Sequence, residues 1–314
     1  MEYTPLGDTG LRVSVAGLGC GGSSRLGRAQ GRSDDEVVGL IRTAIDLGVN
    51  FFDTAEAYGT EDVVGRAVRG LDRDRVLLSS KTRIRAGGGL LDVAGLVANL
   101  EGTLRRLGTD HVDVYHLHGI PPKDYDYCMA ELVPAMLAEK DKGKIRHLGI
   151  TETGPNDHKH LMLERALADG VFEVVMLAFN LMNQNARANV FPATQAKGVG
   201  TLIMFVVRQV FSDPAYYAET VARLRREGKL PPGDADPLGF LFHDGGAADV
   251  IDAAYRFARH EPGTDVILFG TGSEAHLRRN VASILKPPLP EADVAELYRR
   301  FQHLEGVGLD LPRR

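Results

Sequence analysis

Phe51-Phe52-Asp53-Thr54-Ala55-Glu56-Ala57-Tyr58-Gly59 is the stretch around which this chain is organised. Gly48-Val49-Asn50 leads into a short apolar run that stops abruptly at an acid. Small residues follow, then a tyrosine five positions past the acid, then a glycine. The run reads as a buried strand with Asp53 at its C-terminal lip. In a parallel α/β sheet or barrel that lip faces the ligand-binding end, so a carboxylate and a phenol can share one mouth. The plain alternative is a solvated Asp and a packed loop Tyr. The neighbouring units decide between them.

Outward from this stretch the same unit recurs. A hairpin is expected over 3–13 from the Gly-Asp and Thr-Gly turn signals. A first strand over 13–18 dissolves into Gly19-Cys20-Gly21-Gly22-Ser23-Ser24. Ser33 and Glu36 have capping-box spacing ahead of a helix with apolar Val37, Val38, Ile41, Ala44 and Ile45. Past Tyr58 come a helix over 62–68, a strand over 76–80 ending at Lys81, a glycine-rich loop at 87–89 and a helix over 92–107. A strand over 112–117 ends at His118, and after a helix over 127–142 the strand 145–150 ends at Thr151-Glu152. Helix 156–169, strand 174–179, helix 186–197 and strand 200–207 continue the alternation. A charged helical insertion over 214–228 and a Pro/Gly-rich segment over 230–237 interrupt it. Helix 247–260 and strand 265–269 lead to Gly270-Thr271-Gly272-Ser273, and helices over 274–285 and 291–304 follow. Eight strands alternating with helices, undivided by a linker, predict an α/β fold: a (β/α)8 TIM barrel as one domain over 1–314. An N-terminal β-hairpin and extra C-terminal helices complete it.

Composition narrows the function. With 44% hydrophobic residues among 314 there is ample material for a core, and a net charge of −5 gives no electrostatic reason to expect nucleic acid or an anionic membrane. Two cysteines are too few for a disulfide framework. No stretch approaches the ~18 apolar residues of a membrane span, and no basic segment precedes an apolar run at the N-terminus. A cytoplasmic protein is expected.

Under this layout Asp53, Lys81 and His118 end three consecutive strands, with Tyr58 just beyond the first of them. Such a set makes sense as a proton-transfer device. A free tyrosine, with pKa ~10, exchanges protons poorly near neutrality. An adjacent lysine cation lowers that value by stabilising phenolate, an aspartate keeps the lysine charged, and a histidine can orient a carbonyl oxygen.

The stretch 53–59, Ser79-Ser80-Lys81, Asp113-Val114-Tyr115-His116-Leu117-His118 and Gly143-Lys144-Ile145-Arg146-His147-Leu148-Gly149-Ile150 together resemble the aldo-keto reductase family. The likeness runs in order along nearly the whole chain, to Gly270 and Asn280. It implies a nicotinamide-dependent oxidoreductase interconverting a carbonyl and an alcohol, with Asp53, Tyr58, Lys81 and His118 as catalytic tetrad and Tyr58 as general acid–base. It also implies a small-molecule aldehyde, ketone or sugar as substrate. The cofactor is expected along Gly21 and Gly22, the ends of strands 5 to 7, and the turn after strand 8. Where the family usually has Ser-Asn and Gln, this chain has Thr151-Glu152 and Met176. Where an aromatic-Ser-Pro-Leu stretch is common, it reads Met204-Phe205-Val206-Val207-Arg208. Arg208 is the expected phosphate partner there, with Met204 or Phe205 either stacking on nicotinamide or filling the core. Gly270 and Gly272 stand where the family generally clamps a 2′-phosphate with Lys or Arg. His276 and Arg279 on the next helix could compensate, or Arg278 and Arg279 could be a solvated face. Asn280 matches an adenine contact. NADP(H) is favoured by the resemblance, with NAD(H) a possible substitute.

The unusual Glu152, Met176 and Phe205 keep open a second reading, a cofactor-binding, redox-sensing regulatory subunit. His116-Leu117-His118 puts two imidazoles on one side of a strand, as a metal-dependent barrel hydrolase might. Without a third His or a supporting carboxylate in that pattern, no metal site is expected. His158 and His160 read as solvated, Cys20 as an inert filler, and Tyr125 or Tyr127 as an aromatic wall of the substrate pocket.

Overall fold

Side chains two apart on a strand share a face, and residues 51–53 show what that does here. Phe51 packs with Leu77, Val114, Val174, Met176, Leu202 and Val266 in one buried cluster. Phe52 belongs instead to the larger cluster shared with the helices. The first is the inside of a barrel and the second the layer between barrel and helices.

The computed structural model describes residues 1–86, 88–233 and 235–309. Eight parallel strands close on themselves in chain order: β1 Ala16–Gly19, β2 Phe51–Asp53, β3 Leu77–Arg83, β4 Val112–Ile120, β5 Ile145–Glu152, β6 Val174–Ala178, β7 Gly200–Met204 and β8 Val266–Phe269. β8 pairs with β1 to complete the ring. Among the described residues ten longer helices surround it: α1 Asp34–Asp46, α2 Glu61–Val68, α3 Val93–Leu107, α4 Val133–Asp141, α5 Leu161–Asp169, α6 Ala186–Lys197, α7 Pro214–Arg226, α8 Val250–Arg259, α9 Glu274–Ile284 and α10 Glu291–Phe301. α1 starts at the expected capping box, with Glu36 accepting from the Ser33 backbone N–H at 2.8 Å. None of the described helices is long and apolar enough to cross a membrane.

The hairpin pairs Tyr3–Pro5 antiparallel with Arg12–Ser14. It presents Leu6 and Val13, both fully buried, to the interior cluster, and so stops one end of the barrel.

Some boundaries differ from the sequence reading. The strand expected over 13–18 divides at Val15, its first part joining the hairpin and the rest forming β1. β7 ends at Met204 because Phe205 takes a left-handed conformation, φ 64°. The helix expected over 156–169 begins at Leu161, after a 3-10 turn and a left-handed His160. The helix expected over 127–142 is continuous from Tyr125 to Asp141, widening to a π-helical stretch at Cys128–Leu132. Within the glycine-rich loop Gly87 lies outside the described residues, as does Asp234 in the segment 230–237.

Candidate active site

The barrel interior changes character from floor to mouth. Phe51, Leu77 and Val114 are apolar. Two residues further along the same faces stand Asp53, Ser79 and His116, and beyond them Lys81 and His118. Lys81 is wholly buried; its Nζ donates to Asp53 Oδ2 at 2.6 Å and to the Thr54 carbonyl at 2.8 Å. The other Asp53 oxygen accepts from Ser79 Oγ at 2.8 Å. Taking two charges out of water is costly, and these extra hydrogen bonds are what make the pair tolerable. Burial works against the Lys81 ammonium, but Asp53 and the Tyr58 phenol outweigh it and hold its pKa above the ordinary lysine value.

Tyr58 reaches the same place from a 3-10 turn, Glu56–Tyr58, that Gly59 ends in a left-handed conformation, φ 65°. A hydroxyl contact of 2.9 Å between Thr54 and Thr60 ties the two sides of that loop. The phenol oxygen is 3.3 Å from His118 Nε2, the two rings meet edge to face, and Lys81 Nζ lies 4.9 Å from the Tyr58 ring centroid. Burial raises the Tyr58 pKa above that of a free tyrosine while Lys81 pulls it down. The expectation that the lysine lowers this value therefore holds for its own contribution, but burial outweighs it. Burial, Lys81 and Arg83 push His118 down to about 3, leaving a neutral imidazole near neutral pH. Its Nδ1 is buried without a partner among the described residues, which favours the proton on Nε2, facing the Tyr58 oxygen.

Beside this cluster opens a cleft of about 760 Å³. Asp53 and Tyr58 form part of its wall, with Gly21 and Gly22 from the loop after β1 and Met176 from β6. Met204, Phe205, Val207 and Arg208 line it past β7, and Gly270, His276, Arg279 and Asn280 line it past β8. The Arg208 guanidinium lies over the Phe205 ring, 4.2 Å from its centroid. A second cleft of about 800 Å³ lies between α7 and the segment around His303 and Val307, and contains none of the four tetrad candidates.

Three comparisons place the chain among known proteins. The model of the Aldo/keto reductase family matches residues 18–299, most of the length. The chain belongs to the aldo/keto reductase family. L-galactose dehydrogenase of Arabidopsis thaliana is 31% identical over 208 residues, 64% of this chain and 64% of that protein. Aldo-keto reductase YhdN of Bacillus subtilis is 31% identical over 212 residues, 65% of this chain and 61% of that protein. The chain thus spans just under two thirds of the length of these relatives. Among solved structures, the holo form of aldo-keto reductase AKR11C1 from Bacillus halodurans superimposes with TM-score 0.71, covering 96% of each chain at 22% identity. That likeness shows the fold.

Some of the expected contact residues are occupied elsewhere. Thr151 accepts the Gly119 N–H at 2.7 Å and does not line the cleft. Glu152 is also absent from the cleft wall: one oxygen accepts the Ala178 N–H at 2.8 Å and the other faces His160 Nδ1 at 2.5 Å. His160, read as solvated, is fully buried by this pair. Gly272 faces a different neighbour, since a Cβ there would lie 2.6 Å from the Gly27 Cα. Arg279 reaches the cleft but is ion-paired with Asp249, and Arg278 pairs with Glu274 one turn away at 2.8 Å. Tyr125 and Tyr127 do not line the cleft; their hydroxyls donate to Asp169 and to the Leu91 carbonyl. Cys20 is fully buried, and burial pushes its thiol pKa far up. Sequence reasoning missed Gln209, Ser212, Ile251, Tyr255 and Thr271 in the wall. Ile251 and Tyr255 are four apart on one face of α8, a spacing indistinguishable from ordinary core packing.

Proposed function

We propose that this protein is a nicotinamide-dependent oxidoreductase that interconverts a carbonyl and an alcohol, with Tyr58 as the proton donor and acceptor. The observation that carries this reading is the meeting of Tyr58, His118 and the Lys81–Asp53 pair at one mouth beside a long cleft.

The donor set of the cleft fits a dinucleotide. Gly21 and Gly22 leave bare backbone on one wall, Gly270, Thr271 and His276 offer donors near the start of α9, and Arg208 supplies a cation beside the Phe205 ring. When bound, that cofactor supplies or accepts the hydride. The chain's own residues do the rest. The His118 Nε2–H and the Tyr58 hydroxyl converge on one point where a carbonyl oxygen can accept from both. Tyr58 then gives its proton to that oxygen as the alcohol forms, and Lys81 stabilises the phenolate left behind. Asp53 keeps Lys81 charged in a buried setting. A neutral His118 donates without competing for the proton. In the alcohol-to-carbonyl direction Tyr58 takes the proton back.

The test is titration of the purified protein with NADPH and NADH by cofactor fluorescence, followed by a screen of aldehydes, ketones and aldoses. The last class is included because one relative is named for a sugar substrate. Cofactor-dependent turnover that disappears in Tyr58→Phe is the expected result. Cofactor binding without turnover of any carbonyl would favour a regulatory subunit instead.

A further inference from the structure

The reaction leaves His116 unused. It is wholly buried one layer below His118, on the same face of β4. Its Nε2 lies 3.1 Å from Ser79 Oγ, and the single proton of that hydroxyl goes to Asp53 Oδ1 at 2.8 Å. Ser79 must therefore accept from His116, so the imidazole carries its proton on Nε2. Nδ1 has no partner among the described residues, and a Cβ on Gly149 would lie 2.2 Å from it. The ring is thus packed directly against bare glycine backbone. A second proton, on Nδ1, would be a buried donor without an acceptor. The titratable groups bearing on His116 are Lys81 and His118, and burial together with both of them holds its pKa well below the ordinary histidine value.

We propose that His116 and Ser79 are positioning residues that set the proton affinity of Tyr58 through Asp53. The carboxylate uses Oδ2 for Lys81 and Oδ1 for Ser79. With Oδ1 held, the group cannot pivot about its Cβ–Cγ bond, and the Lys81 ammonium stays alongside the phenol. With Oδ1 released, the Thr54 carbonyl is the one fixed acceptor named here for Lys81, and the ammonium, less firmly placed, opposes the effect of burial on Tyr58 less well. Of the groups bearing on Tyr58, Lys81 lowers its pKa while burial, Asp53 and Cys20 raise it, with His118 in contact, so it is the displacement of Lys81 that moves the value up.

The proposal rests on Tyr58 acting as proton donor, so the test includes a readout independent of turnover. In Ser79→Ala the rate profile limb assigned to Tyr58 should move up by roughly half a unit to one unit. Its kcat should fall about 10-fold, with carbonyl KM and cofactor Kd unchanged. His116→Phe should shift the limb the same way, and the double variant should be no worse than Ser79→Ala, because both act along one path. Ser79→Thr and His116→Gln, which keep the hydroxyl and an N–H donor, should restore the wild-type profile. An unmoved limb in Ser79→Ala, or losses that multiply in the double variant, would overturn the proposal. Should Ser79→Ala fail to fold, the contrast between His116→Gln and His116→Phe decides alone. Independently, 15N NMR of labelled histidines should show His116 protonated on Nε2 and not titrating between about pH 5 and 8. A proton on Nδ1, or an ordinary titration, overturns the relay even if no carbonyl tested is turned over.

Discussion

A Cβ placed on Gly21 would lie 2.5 Å from the Tyr58 ring, so the bare backbone of one residue is the wall that seats the other. Gly21 is not among the glycines with positive φ, so alanine adds no backbone strain there and acts only by displacing the ring. Gly21→Ala should lower kcat by about 10²-fold, the cost of roughly an ångström of misplacement, while Tm changes little. Turnover and thermal unfolding of the purified variant check this together; full activity would mean the ring can move without harm.

Tyr58→Phe keeps the ring and removes the proton. Turnover should fall by at least ~10²-fold, the scale of lost general acid catalysis, with cofactor Kd nearly unchanged. A fully active variant would remove Tyr58 from the mechanism.

Lys81→Met removes the group that, among the described residues, lowers the Tyr58 pKa, leaving burial unopposed. Alcohol oxidation needs phenolate, so its rate rises with pH through that pKa, and the limb should move to higher pH in the variant. Residual oxidation measured across pH decides it. An unmoved limb would show that lysine and phenol are not coupled.

Cofactor preference should turn on the pair of Arg279 and Asp249 at the far end of the cleft. Asp249 caps α8 with one oxygen and engages Arg279 with the other, so Asp249→Asn keeps the cap and frees the cation. Both side chains are nearly half exposed, which limits the effect to about 10-fold tighter NADP(H) binding. Arg279→Ala should weaken NADP(H) and leave NAD(H) nearly unchanged. In the unaltered protein NADP(H) should lead by no more than about two orders of magnitude, ~2.7 kcal/mol. Dissociation constants of both cofactors for the three proteins test this; equal losses in Arg279→Ala would mean it reads no phosphate.

The buried pair of His160 and Glu152 predicts a pH-dependent stability. Burial disfavours the imidazolium, yet Glu152 outweighs it and raises the His160 pKa above its ordinary value. The folded state therefore binds that proton more tightly than the unfolded chain. The stabilisation is complete below the unfolded value of about 6.5 and is lost as pH rises through the higher folded value. Tm should fall over that window in the wild type and not in His160→Gln. Stranding the carboxylate in that variant should cost about 3–5 kcal/mol at the lower pH. Thermal melts at both ends of the window measure it.

The strands were legible because apolar runs ended in single polar residues, and the tetrad candidates were legible because they stood at those ends. What escaped were pairings between residues with no periodic relation. Glu152 looked like a cofactor contact, yet its partner sits eight residues on in a loop, where burial leaves no mark in the sequence. Arg279 looked like a free cation because Asp249 is thirty positions away. Strand 7 looked longer because Met204 through Val207 are apolar, and only the left-handed backbone at Phe205 ends it.

The hairpin that carries Leu6 and Val13 has a consequence for traffic. It stoppers the barrel opposite the polar layers, so no route to Tyr58 runs through the floor. Among the described residues it is the cleft past β7 and β8 that brings Tyr58 to the surface, so anything reaching that tyrosine comes from the side opposite the hairpin.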